Sequence, residues 1–155
     1  MQKNRTKFLL ILAILIFAIS VSGYAQSNEL IDELLAEKQA AFGKIAYMGL
    51  AAAGLIPAEA TIEESLAFLQ TKDWNITDKG ANDAVNIGEY SYLLMKAFNI
   101  PGGIMYSISP GGRYACRELT YLGFIKGNNS PYRTLSGEEV LRILSNMLNW
   151  LEERQ

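Results

Sequence analysis

Three times along this chain a short polar residue is followed three positions later by Glu, and then by an apolar stripe. The three are Thr61-Ile62-Glu63-Glu64, Asn86-Ile87-Gly88-Glu89 and Ser136-Gly137-Glu138-Glu139. In such a capping box the polar side chain accepts from the N3 amide while the Glu carboxylate reaches back to the cap's own N–H. Two donors that a helix start leaves orphaned are thereby satisfied. The Thr61 box is continued by Ser65 through Gln70. After Asn86 the inward stripe is Tyr90, Leu93, Leu94, Ala97 and Phe98. After Ser136 it is Val140, Leu144, Met147, Leu148 and Leu151, widened by Ile143 and Trp150. These are helical intervals.

The rest of the chain reads the same way. Leu30, Leu34, Leu35, Phe42, Ile45, Leu50 and Ala53 recur helically from Ser27-Asn28-Glu29 onward, with Glu29, Asp32, Glu33 and Glu37 toward the positive end of the helix dipole. Gly43 and Gly49 interrupt this helix or allow close helix approach, and Gly54 and Pro57 end it. Lys72 to Val85 is a polar loop whose large apolar anchor, Trp74, is expected to plug the core, with a sugar-stacking platform as the alternative. Pro101-Gly102-Gly103 is a stop, and Ile104–Ile108 alternates weakly, as a short strand or extended chain. Ser109-Pro110 reads as a cap with Pro at the first helical position, opening a helix over Arg113 to Leu122 that Gly123 closes. The expected fold class is all-α, a compact bundle of about five to six helices.

Residues 1–25 are of another kind. Lys3, Arg5 and Lys7 precede an apolar run, Phe8–Val21, broken by Ser20, with Gly23 and Ala25 as small residues before Gln26. That is a secretory signal pattern, with cleavage expected between Ala25 and Gln26. Its helix would span about 21 Å, short of the ~30 Å hydrocarbon core. Residues 26–155 are then expected to form one exported helical domain, in the periplasm or at the cell surface, whose membrane contact ends with the signal. Cleavage removes three cations and no acid, moving the net charge from −2 to −5. An acidic exported chain has no electrostatic footprint for nucleic acid. With no His and a single Cys, Cys116, the chain cannot build His-based triads, His-ligated zinc or a disulfide framework. Cys116 is expected buried; no cofactor or metal is expected.

Two halves of the chain look alike. Around Gly123-Phe124-Ile125-Lys126-Gly127 a helix stops, passes a Pro-containing turn and reaches Ser136-Gly137-Glu138-Glu139. Around Ala53-Gly54-Leu55-Ile56-Pro57 another stops and, after an excursion, reaches Asn86-Ile87-Gly88-Glu89. Repeat 1 spans about 41–100 with an insertion over about 57–85, and repeat 2 about 104–151, as units that bury a face against a neighbour. At these residues the chain resembles the S-layer homology module, whose first helix ends in Gly-Ile-Ile-x-Gly and whose second opens with Thr-Arg-Ala-Glu. That family usually sets three modules around a pseudo-threefold axis, and two are visible here. The resemblance implies attachment to peptidoglycan or wall polysaccharide. Where the family carries a ligand-contacting Arg, this chain has Ile87 or Gly88 in one half and Gly137 or Glu138 in the other.

The expected function is therefore non-catalytic binding in the cell envelope, to wall glycan or to another envelope protein as an adaptor or homo-oligomer. The ligand-binding residues expected are Tyr106, Arg113, Tyr114 and Arg117. Arg113 and Arg117 share a helix face, two Gly precede them, and the tyrosines offer stacking. A small wall-active hydrolase using Glu63/Glu64 or Glu138/Glu139 is the remaining alternative, but first-turn positions already account for those carboxylates. The structural caps expected are Thr61, Glu64, Asn86, Glu89, Ser109, Ser136 and Glu139.

Overall fold

A computed structural model of the chain describes residues 28–76 and 79–154; the signal segment and its Ala25/Gln26 junction lie outside them. Among the described residues the chain is all-helical and forms no strand. The helices are α1 (residues 28–36), α2 (Phe42–Ala52), α3 (Ile62–Gln70), α4 (Ile87–Ala97), α5 (Ile104–Ile108), α6 (Gly112–Tyr121) and α7 (Gly137–Glu152). All three capping boxes form as the sequence requires, with both reciprocal hydrogen bonds present at Thr61/Glu64, Asn86/Glu89 and Ser136/Glu139.

What joins the helices is a closed ring of three backbone hydrogen bonds. The Ala40 N–H donates to the Leu135 carbonyl (2.8 Å), Leu135 to Val85 (3.2 Å) and Val85 to Ala40 (3.3 Å). All three residues are buried, and each precedes the cap of a helix: α2, α4 and α7 in turn. One step outward a second cycle closes in the opposite sense. The first helical N–H of α2 donates to Asp83 O (2.9 Å), that of α4 to Arg133 O (2.9 Å) and that of α7 to Glu37 O (3.0 Å). Each helix start thus finds partners for its orphan donors on the loop that leads into another.

Two backbones so close leave no room for a side chain, and each start carries a glycine there. A Cβ on Gly43 would lie 3.1 Å from the Ala81 carbonyl oxygen, and one on Gly88 2.9 Å from that of Pro131. A Cβ on Gly137 would collide with the Leu34 carbonyl. The chain therefore enters the ring three times, from the helix-loop-helix units α1/α2, α3/α4 and α6/α7. The sequence displays two of these entries. Its apparent insertion over 57–85 contains the outer helix and loop of the middle unit.

Three local expectations change. The helix expected to run unbroken past Leu35 is split at residues 37–41, because the Ala40 N–H cannot donate both to Ala36 in a helix and to Leu135 in the ring. Residues 104–108 are helical, not extended: Tyr106 packs inward and the three larger aliphatics turn out, which hides the helical period in so short a run. Ser109 is not the cap of α6. It ends α5, since the residue before a proline is pushed out of the helical region, and α6 starts from an extended Gly111 with no side-chain cap. Close packing sets that start, for a Cβ on Gly112 would lie 2.8 Å from the Gly88 carbonyl carbon.

The core packs around the ring residues, which are themselves part of it. Leu34, Ile45, Leu50, Leu93, Leu94, Leu119 and Met147 are fully enclosed, and Trp74 packs on the rim from its loop. Tyr90, with no exposed surface, donates its hydroxyl to Val140 O (3.0 Å) and so ties α4 to α7. Burial drives its ionisation far above the ordinary tyrosine range. Cys116 is buried, donates to Asn129 O at 3.3 Å and has its thiol pKa raised, chiefly by that burial.

Candidate functional site

The middle unit opens a cleft on one side of the ring. Two adjoining hollows, of about 310 and 120 Å³, share Phe42, Asn75, Ile76 and Lys79. The larger extends along α3 past Leu66, Gln70 and Lys72. The smaller runs under α4 at Glu89 and Tyr92 to Pro110, Gly111 and Gly112 at the start of α6. Its polar groups are held in place. Lys79 donates to Ala84 O (2.9 Å) and pairs with Glu89 (3.2 Å), whose carboxylate also accepts from the Asn86 N–H (3.0 Å). Asn75 sits in the left-handed region at φ 51°, which Asn tolerates better than most residues. The wall is thus part ring and aliphatic surface, part amide, ammonium and carboxylate.

The four residues expected to bind ligand divide. Tyr106 is buried, its ring tilted on Tyr92 with centroids 6.2 Å apart. Burial first and the neighbouring Tyr92 second push its hydroxyl up to about 12. Arg113 and Tyr114 follow Gly112 in α6 but line neither hollow; the guanidinium lies 5.9 Å from the Tyr114 ring centroid. Arg117 is exposed one turn further along α6. Among the described residues neither arginine is in an ion pair.

Phe42, Asn75, Ile76, Lys79 and Tyr92 escape the sequence pattern as a site. They come from two different helices and a loop without periodicity, and only the ring brings them to one wall. The faint signal is the loop itself, an aperiodic polar stretch anchored by an adjacent Trp74.

Three of the four paired carboxylates are held by structure. Glu64 accepts from the Thr61 N–H (2.7 Å) and Glu139 from the Ser136 N–H (3.2 Å). Glu138 pairs with Arg142 at 3.3 Å and Glu139 with Arg133 at 2.8 Å. The hydrogen bond from Arg133 leads the causes that lower the Glu139 pKa, against a smaller opposing effect of burial. A glycosidase acid needs the reverse shift. Among the described residues no cluster of three His, Cys, Asp or Glu side chains could hold a metal ion, and no helix is long and apolar enough to cross a membrane. Comparison with known proteins adds no family: no family model, no characterised protein and no solved structure matches the chain.

Proposed function

We propose that this chain is an exported envelope protein whose work is non-catalytic attachment to wall glycan through the cleft beside Lys79 and Gly112. The carrying observation is the cleft's composition. Extended saccharides are bound by ring and aliphatic faces combined with a few fixed polar groups, and Phe42, Ile76 and Tyr92 lie there beside Asn75, Lys79 and Glu89. The threefold ring supports the same reading, because three modules about a pseudo-threefold axis is the arrangement that the resembled family uses. The departures at the family's Arg position acquire a reason. Gly88 and Gly137 sit where backbone meets backbone, Ile87 is buried, and Glu138 carries the opposite charge. A glycan site in this chain therefore uses other residues, those lining the cleft, with Arg113 and Tyr114 after Gly112 as further candidates.

The test is co-sedimentation of the exported protein, its N-terminus read by intact mass, with isolated bacterial cell wall at low salt. Binding is expected, with a fall of about tenfold for Lys79→Gln combined with Ile76→Asp, as befits loss of one charge and one apolar contact. Protein left wholly in the supernatant overturns the glycan reading, and recovery of an envelope protein by crosslinking in its place selects the adaptor. An N-terminus that retains Met1 overturns processing at Ala25.

A further inference from the structure

The short helix α5 is inside out. With successive residues about 100° apart, Ile104, Ile108 and Met105 fall within one arc of roughly 100°, and Tyr106 lies opposite it. Tyr106 is buried, whereas Ile104 is 78%, Met105 57% and Ile108 74% exposed. The arrangement is built in: a Cβ on Gly102 would collide with the Tyr106 ring, so glycine at 102 is what lets that ring turn inward. Single exposed apolar residues are ordinary on protein surfaces. Three on one turn, all facing away from the fold, are a patch that calls for an occupant.

The surrounding charge and the size of the patch select that occupant. Arg113 begins five residues after Ile108 and is followed on the same face of α6 by Arg117 and Tyr121, the last 88% exposed. The opposing charge on that helix is Glu118, which lies against Gly103. Two exposed arginines thus stand on the helix that follows the patch, on a chain whose net charge is negative. A second copy or a folded protein partner would need about 800 Å² from each side for a standard interface, more than three side chains on five residues offer. A bilayer needs far less, since an apolar face enters only about 5–10 Å into the headgroup and acyl boundary while cations meet anionic lipid.

We propose that α5 is a membrane-contact wedge, with Ile104, Met105 and Ile108 entering the surface of an anionic bilayer and Arg113 and Arg117 meeting its headgroups. This adds a lipid contact in the folded domain to the one the sequence confines to the signal segment. It shares Arg113 with the glycan reading, but Ile104, Met105 and Ile108 line neither hollow, and wall and vesicle binding are measured separately.

The experiment uses the exported protein, its N-terminus read by intact mass so that the apolar signal run is absent from the vesicle measurement, carrying Ile108→Cys labelled with an environment-sensitive fluorophore, and Ser145→Cys on the exposed face of α7 as the control. Cys116 is buried with a raised thiol pKa and is slow to label. Vesicles of phosphatidylcholine alone are compared with an equal mixture of phosphatidylcholine and phosphatidylglycerol. The expected result is a blue shift at position 108 with the anionic vesicles and none at 145. Affinity read at position 108 should fall about tenfold with Ile104→Asp and about 30-fold with Arg113→Gln/Arg117→Gln. No shift at 108, an equal shift at 145, or a shift indifferent to lipid charge overturns the proposal. So does a mass by light scattering that doubles without vesicles and returns to monomer with Ile104→Asp, which would give this face to a second copy.

Discussion

The first and third entries into the ring have the same geometry and opposite charges. At the third, Ser136 caps α7, Glu139 at N3 reaches back to the Ser136 N–H, and Arg133 from the approaching loop pairs with Glu139 at 2.8 Å. At the first, the cap position is Ala41, which has no side chain to offer, and N3 is Lys44. The carboxylate comes from the loop instead. Glu37 accepts from the Ala41 N–H at 2.9 Å and from Lys44 at 2.7 Å, with Glu33 adding a second pairing to Lys44 at 2.8 Å. The middle entry follows the third, with Glu89 at N3 and Lys79 on its loop. A helix start in the ring requires a carboxylate on its cap amide and a cation on that carboxylate. Which chain segment supplies which is free.

The sharpest way to break this comparison is to crowd one of the close approaches. Gly137→Ala drives a methyl into the Leu34 backbone, which cannot yield without opening the ring, and should cost about 3 kcal/mol or more, or prevent folding. Gly43→Ala meets the Ile62 side chain at 2.5 Å, which can rotate, and should cost about 1 kcal/mol. Urea unfolding of both variants measures the difference; equal, small losses would mean the ring does not hold the units together.

A smaller effect separates the two capping solutions. Glu37→Ala removes the acceptor of the Ala41 N–H and the charge-assisted hydrogen bond from Lys44, and should destabilise by about 2 kcal/mol. Ser136→Ala removes one acceptor while Glu139 and Arg133 stay paired, and about 1 kcal/mol is expected. A larger loss at Ser136 would show that the loop carboxylate is dispensable.

The reversed charges also predict reversed pH dependence. The Glu139 pKa is lowered, with Arg133 as the first cause, so its contribution is present above the ordinary carboxylate range and is lost as pH falls through the lowered folded value. Lys44 is raised, first by Glu33 and then by Glu37, so its contribution is complete below the ordinary lysine range and is lost as pH rises through the raised value. Glu139→Gln should therefore flatten the acid limb of a stability profile, and Lys44→Met the alkaline limb. Both sites are partly solvated, which keeps either change to about 1 kcal/mol. The alkaline limb retains a component from Tyr106, whose stabilisation falls between the ordinary tyrosine range and about 12. If each substitution flattened the other limb, the assignment of the two pairs would be reversed. The least change is expected from Arg113→Gln/Arg117→Gln, within about 0.5 kcal/mol in stability, because both side chains are exposed without an ion pair among the described residues.

The same contrast explains what could be read from the chain. The starts at Thr61, Asn86 and Ser136 were legible because a capping box is a local device: four consecutive residues carry all of its chemistry. The first ring entry was not, because Ala41 lacks the oxygen that marks a cap and its carboxylate, Glu37, precedes it as one acid among several. Gly43, Gly88 and Gly137 were visible as residues but not as a set, since their shared role is to face a carbonyl from elsewhere in the chain. Of the cleft's lining, Gly111 and Gly112 were legible as the two glycines at the start of α6. Asn75, Ile76 and Lys79 were not, having no period and no motif.

Sequence by itself determined the helical class, the three boxed helix starts and the glycine stops at Gly54 and Gly123, both at positive φ. Each depends on hydrogen bonds or backbone torsions within a few residues. Tertiary structure alone decided that the helix before Ala40 breaks, that the ring has three members, and that Tyr106 turns inward while Ile104, Met105 and Ile108 turn out. Those outcomes depend on donors and acceptors tens of residues apart, brought together by burial of a common core.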